Sequence, residues 1–192
     1  MFKLPNYNFV YTCRKRGKGG GIGIYIHERH RFNIINDLSL FEDNLFESLT
    51  IKIDTDQKKS FNISCVYRPN TPIQGMSTND QLDYFIDKMS NLQATMSSYR
   101  GDSFIIGDFN LDLLKFETHI KTNEFIENSL TNGFLPLITK PTRVTHASCT
   151  LIDNILSNTC NNTLESGVIL NSISDHFPIF HVTCQTQKKR KT

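Results

Sequence analysis

Tryptophan is missing from the 192 residues, and Phe, at 14, carries most of the aromatic content. The five cysteines, Cys13, Cys65, Cys149, Cys160 and Cys184, form no Cys-x-x-Cys pair and are odd in number. That argues against a zinc site and fits a reducing compartment, with Cys65 and Cys184 as small buried hydrophobes in strand-like runs. No apolar stretch approaches the length of a membrane span, and the opening "MFKLPNYNF" lacks the pattern of a signal peptide. An intracellular, soluble protein, nuclear or cytoplasmic and with no membrane partner, is expected. No internal repeat is visible. Charge of one sign is also lacking: 21 Lys and Arg against 19 Asp and Glu leave +2, which neither demands nor excludes nucleic acid. The basic residues cluster at "RKRGK" near the start and "KKRK" at Lys188–Lys191, with the acids mostly between them.

What is present is a core of ordinary size for one domain, with 38% hydrophobic residues. "GGGIGIYIH" reads as a strand entered through a glycine turn, and no Gly-Lys-Ser/Thr follows to make a phosphate loop. "LFESLTIKID" alternates, so that Leu45, Glu47, Leu49, Ile51 and Ile53 share one face and Glu47 is an acid on an apolar stripe. "FNISCVYRPN" puts Phe61, Ile63, Cys65 and Tyr67 on one face and ends at Pro69, and the polar "TDQKKS" between the two runs reads as a hairpin connection. From Thr78 the period becomes helical, with Leu82, Phe85, Ile86, Met89 and Met96 in phase. A helix over 79–98 is expected, capped by Thr78 with Gln81, and a second over 121–131 stopped by Gly133. Strands are expected around 135–139, 150–156, 167–171 and 178–184. Such a series, interrupted by two helices, predicts stacked sheets covered by helices in a domain over 1–184, with a basic tail at 185–192.

Several apolar strands end in polar residues. "SFIIGDFN" delivers Asp108 and Asn110, "TLIDNIL" carries Asp153, "SISDHFPIF" carries Ser174, Asp175 and His176, and "VYRPN" carries Tyr67 and Asn70. Each alone has a plain structural reading: Asp108 as an Asx-turn, Ser174 or Asp175 as a cap, Tyr67 as a core aromatic. Together they point to one site. Asp153, set among Leu151, Ile152, Ile155 and Leu156, needs a partner if buried, and His176 can supply it. Carboxylate and carboxamide oxygens suit a hard cation such as Mg²⁺, and the set suits phosphodiester cleavage.

The ordered motifs "GDFN", "IDNIL" and "SDHFPI" resemble the signature of the endonuclease/exonuclease/phosphatase superfamily. With "GGGIGIYI", "VYRPN", "GDFNLDLL" and "PTRVT", they resemble more narrowly the endonuclease domain of LINE-type (non-LTR) retrotransposons, over residues 17–184. The resemblance implies a four-layer α/β sandwich of two stacked, mainly antiparallel sheets flanked by helices, and Mg²⁺- or Mn²⁺-dependent nicking of DNA by a monomer. By motif, Asp108 would activate the attacking water or assist the leaving group, and Asn110 would orient it and the phosphate. Tyr67 would contact the phosphate, and Asp153 would hold His176. Asp175 would lie at the metal with Asp108 and Asn110, and Thr142 and Arg143 would touch the DNA. A reverse transcriptase domain in a longer reading frame is an implied partner.

The family pattern also has a preceding Asn strand and an "ETW" strand whose Glu is a principal metal ligand. No Glu occurs here before Glu28, and Glu47, in "FESL", belongs to another family position. The chain is therefore expected to be N-terminally truncated and weak as an isolated enzyme. Two alternatives stand beside the nuclease reading. One is a catalytically dead remnant or DNA-binding module. The other is a phosphodiesterase of the same superfamily with a substrate other than nucleic acid.

Overall fold

The run FESLTIKID forms the strand around which the others are arranged. The computed structural model describes residues 3–14, 19–55, 60–159 and 163–183. Lys15, Arg16, Lys18, Cys160, Cys184 and the basic tail fall outside them. In chain order the elements are β1 (Tyr7–Thr12), β2 (Ile22–His27), β3 (Arg31–Ile34), β4 (Phe41–Glu42), β5 (Phe46–Asp54), β6 (Ser60–Tyr67), α1 (Thr78–Ser98), β7 (Asp102–Asp108), α2 (Ile120–Thr131), β8 (Leu135–Pro136), β9 (Arg143–Val144), β10 (Cys149–Thr150), β11 (Asp153–Ser157), β12 (Thr163–Val168) and β13 (Ile179–Thr183).

Seven strands make a central mixed sheet in the order β3-β5-β6-β7-β11-β8, with β4 also paired to β5. Only β6 and β7 run parallel, and α1 makes the crossover between them. Three further ladders stand apart, β1–β2, β9–β10 and β12–β13. A second continuous sheet, expected from the sequence, is not formed among the described residues. The expected strands also differ at their ends. The 135–139 run keeps only Leu135–Pro136, the 150–156 run splits into β10 and β11, and the 167–171 run begins earlier, at Thr163, and stops at Val168.

Both helices cover one face of the sheet. Phe46 of β5 lies 5.9 Å from Phe85 of α1, ring to ring, and Phe85 stacks on Phe125 of α2 at 5.9 Å. Ile51 and Ile53, of opposite parity along β5, pack with Ile26 of the β1–β2 hairpin on the other face. The alternation expected for β5 therefore holds only at its end, where Lys52 and Asp54 are exposed; from Phe46 to Ile51 both faces are buried. Its inward polar groups are bonded: Ser48 Oγ donates to Leu38 O at 3.0 Å, and Thr50 Oγ1 to Leu38 O at 2.8 Å. In β6 the face of Phe61, Ile63, Cys65 and Tyr67 is half-buried, Cys65 being expected buried, while Asn62, Ser64 and Val66 are buried. Burial still pushes the Cys65 thiol up to about 11.

Helix α1 buries Leu82, Phe85, Ile86, Met89 and Met96 as their spacing predicts. Its cap differs from the expected Thr78–Gln81 pair by one residue. Ser77, in extended conformation, accepts from Asp80 N at 3.1 Å, and Asp80 Oδ2 accepts from Ser77 N at 3.1 Å. Gln81 is instead buried in the first turn. Helix α2 ends at Thr131, and Gly133 just beyond it, at φ 79°, turns the Phe134 N–H back to Ser129 O at 2.8 Å. No helix among the described residues is long and apolar enough to cross a membrane.

Candidate active site

Register lines up the polar residues. Across β5, β6, β7 and β11 the partners are Glu47↔Tyr67, Tyr67↔Asp108 and Asp108↔Asp153. Four polar side chains thus occupy one row at one end of the sheet. Just beyond it, Phe109 is fully buried and packs on Phe125 at 5.7 Å, ring to ring. This buried ring anchors the turn and leaves Asp108 and Asn110 on either side of it. Asn110 takes φ 44°, in the left-handed region that Asn tolerates better than most residues. Its backbone N–H donates to Asp108 Oδ1 at 2.9 Å. Gly107 precedes them for a steric reason: a β-carbon there would overlap the Val66 carbonyl of the adjacent strand.

His176 reaches the row from the segment before β13. Its Nδ1 lies 3.1 Å from Asp153 Oδ2 and 3.3 Å from Oδ1. This is the partner that a carboxylate in an apolar run requires. One donor atom each from Asp108, Asp153 and His176 lies within 4.8 Å of the others, a group that could hold a metal ion. They line an open pocket of about 420 Å³ with Ile106, Ser174 and Ile179. Burial pushes the Asp108 carboxyl above the ordinary carboxylate range, and the Asp153 charge acts the same way; the Asn110 N–H opposes both. The Tyr67 phenol is raised by burial and then by the Asp108 charge. Two neighbouring carboxylates, one already disfavoured in its charged form, fit a divalent cation, which would relieve both.

Three expected residues sit differently. Asp175 does not join the group: its Oδ2 accepts from Arg143 Nε at 2.7 Å in an exposed ion pair, which holds its carboxyl below the usual range. Arg143 is thereby engaged as well. Thr142 is fully buried. Its Oγ1 accepts from Ile152 N at 3.2 Å and Asp153 N at 3.0 Å, and its carbonyl accepts from Phe177 N at 2.7 Å. Thr142 thus ties the strand of Asp153 to the segment of His176.

Two residues were not assigned from sequence. Glu47 is fully buried: Oε1 accepts from Arg14 Nε at 2.9 Å and Oε2 from Gly21 N at 2.6 Å. The sign was its place on an apolar stripe. The glycine run, with positive φ at Gly19, Gly20 and Gly21, closes over this pair, so it is a turn, as read from the sequence. Arg68, beside Tyr67, is buried against the turn at 108–110 and left no sequence signal.

The sheet and its helices are similar, in part, to the fold of solved endonuclease/exonuclease/phosphatase proteins. The particular likenesses are distant. The endonuclease domain of TRAS1, a telomere-specific non-LTR retrotransposon, superposes with a TM-score of 0.68 at 14% identity, over 95% of this chain and 81% of that one. The 3′ phosphatase NExo from Neisseria, bound to a product DNA hairpin, gives 0.63 at 15% over 93% and 80%. An endonuclease/exonuclease/phosphatase family protein from Leptotrichia buccalis C-1013-b gives 0.59 at 15% over 94% and 73%. No protein-family model and no curated protein sequence matches the chain.

Proposed function

We propose that this chain is a Mg²⁺- or Mn²⁺-dependent phosphodiesterase domain that nicks DNA, of non-LTR retrotransposon type. Its sheets would belong to a four-layer sandwich, and it would act inside the cell beside a reverse transcriptase domain of a longer reading frame. One observation carries the reading: Asp108, Asp153 and His176, from three separate segments, meet in a pocket at one end of the sheet. The same motifs resemble the retrotransposon nucleases, and the TRAS1 domain shares the fold.

Asp108 and Asp153 would hold the cation. When bound, it polarises a phosphoryl oxygen and steadies the leaving oxygen. Asp153 fixes the imidazole of His176 through Nδ1 and leaves Nε2 to face substrate. Protonated, that nitrogen donates to the phosphate oxygens as charge builds. Asp108 would take the proton of the attacking water through the carboxylate oxygen that the cation leaves free. Tyr67, next to Asp108 in the row, offers its hydroxyl to the phosphate.

A second reading, DNA binding without cleavage, is favoured by the pairing of Asp175 with Arg143 rather than with the other acids. Supercoiled plasmid with Mg²⁺ or Mn²⁺ separates the two. Nicked circles with extendable 3′ ends, lost with EDTA and reduced about a hundredfold or more by His176→Ala, are expected. Gel-shifted but uncut plasmid would establish the second reading instead.

A further inference from the structure

Arg68 is 7% exposed, yet among the described residues no carboxylate forms an ion pair with it. A buried cation costs several kcal/mol unless its donors are well met. Here they are met by the turn of the site. Nε donates to Phe109 O at 2.7 Å and Nη2 donates to Asn110 O, while the guanidinium lies over the Phe85 ring, 5.7 Å from its centroid. The backbone of the same residue adds two more bonds. Arg68 N donates to Asp108 O at 2.9 Å, and Arg68 O accepts from Asn110 Nδ2 at 2.8 Å. That Asn110 nitrogen also lies 3.3 Å from Asp108 Oδ2. The reversed amide would aim Oδ1 at two acceptors, so its orientation follows from its neighbours.

We propose that Arg68 is a positioning residue for this site: it clamps the left-handed turn at Asn110, so that the side-chain amide of that residue stays committed to Arg68 O and Asp108 Oδ2 and Asn110 offers only its acceptor oxygen to a ligand. A phosphoryl oxygen can only accept, whereas water or a hydroxyl can donate. Asn110 therefore orients an O–H beside Asp108, the attacking water, and does not grip the phosphate. The guanidinium fork suits this task because one planar group reaches two successive carbonyls; a Lys ammonium on a flexible stem does not hold both in a fixed geometry. This inference rests on the nuclease reading for the identity of the O–H but not for the clamp itself.

The test uses the full chain, ¹⁵N-labelled, as wild type, Arg68→Lys and Arg68→Met, with folding checked by circular dichroism. Release of the clamp should speed exchange of the Asn110 side-chain amide protons about tenfold. It should also move the Asn110 HN–Hα coupling away from its left-handed value. In plasmid nicking, kcat should fall about a hundredfold with KM within about twofold, as for a misplaced water. Arg68→Lys decides the matter if Arg68→Met does not fold. Unchanged exchange and coupling in Arg68→Lys would overturn the clamp, and so would a raised KM with unchanged kcat, which would make Arg68 a DNA-binding cation. If wild type nicks nothing with either metal, the nuclease reading fails, and the magnetic-resonance result alone decides for or against the clamp.

Discussion

Replacing Glu47 by Ala tests whether the acid beside Tyr67 is structural or ligates metal. Its two oxygens receive Arg14 Nε at 2.9 Å and Gly21 N at 2.6 Å, and its side chain has no solvent exposure. The substitution leaves a guanidinium, itself only 11% exposed, and a backbone N–H without their acceptor. Breaking a buried pair from one side costs about 3–5 kcal/mol. The residual solvent contact of Arg14 argues for the lower end, about 3 kcal/mol, which in a domain of this size lowers the melting temperature by about 6–12 °C. Adding Arg14→Ala should recover part of the loss, because the unpaired charge is removed, with a coupling of about 1–3 kcal/mol in the double-mutant cycle. Thermal melts followed by circular dichroism measure both. The loss should persist at about 0.5 M salt, since a buried pair is little screened. Calorimetric titration of folded Glu47→Gln with Mn²⁺ should give the wild-type affinity. A loss below about 1 kcal/mol, or one that salt removes, would refute the buried-pair argument. A folded Glu47→Gln that no longer binds Mn²⁺ would show that Glu47 is a metal ligand.

Thr142→Val should destabilise the protein by about 1–3 kcal/mol by removing the acceptor of one buried and one part-buried amide, and it should slow nicking without weakening DNA binding, as urea melts and gel shifts will show. Asp108 titrates above its unfolded value, so the folded state favours its protonated form. Its favourable contribution is full below the unfolded pKa, near pH 3.8, and is lost as pH rises through the higher folded pKa. A cation should offset that loss: Mn²⁺ at about 100 times its Kd should add about 2.7 kcal/mol, or roughly 5–11 °C, at pH 7. It should add much less at pH 4, and equal shifts at both pH values would contradict the assignment. Gly107→Ala should fail to give soluble folded protein, because the new carbon meets the Val66 carbonyl rather than a movable side chain.

Helix α1 could be read from the sequence because its apolar residues repeat at helical spacing against one sheet face. Asp153 and His176 could be paired because a carboxylate in an apolar run implies a partner. Thr142 could not be read, since its side chain binds backbone amides, which leave no mark in the side-chain pattern. Arg68 was hidden for a similar reason: its partners are two carbonyls and a ring. The cap at Ser77 was missed by one residue because Thr78 is chemically equivalent and only the extended backbone at Ser77 distinguishes them. Asp175 was drawn to the metal by its motif, but the short β9–β10 ladder puts Arg143 beside it. The greater burial of the other face of β6 left no apolar mark in the sequence, because helices cover it and polar Asn62 and Ser64 are accommodated there by hydrogen bonds to Ser103 and Thr50.

The row Glu47–Tyr67–Asp108–Asp153 exists only in one register of four strands. Side chains alternate along a strand, so sliding β7 by one position past β6 would turn Asp108 toward the helices and bring Gly107 into the row. Both pairings that build the acid pair close long loops: β6–β7 joins residues 41 positions apart, 67 to 108, and β7–β11 joins residues 45 apart, 108 to 153. A chain with its first six strands made, or with β7 docked out of step, has no acid pair and no histidine beside it. Grouping of these side chains is therefore an all-or-none report on completed assembly: a nascent or misregistered chain has no such group to offer a cation.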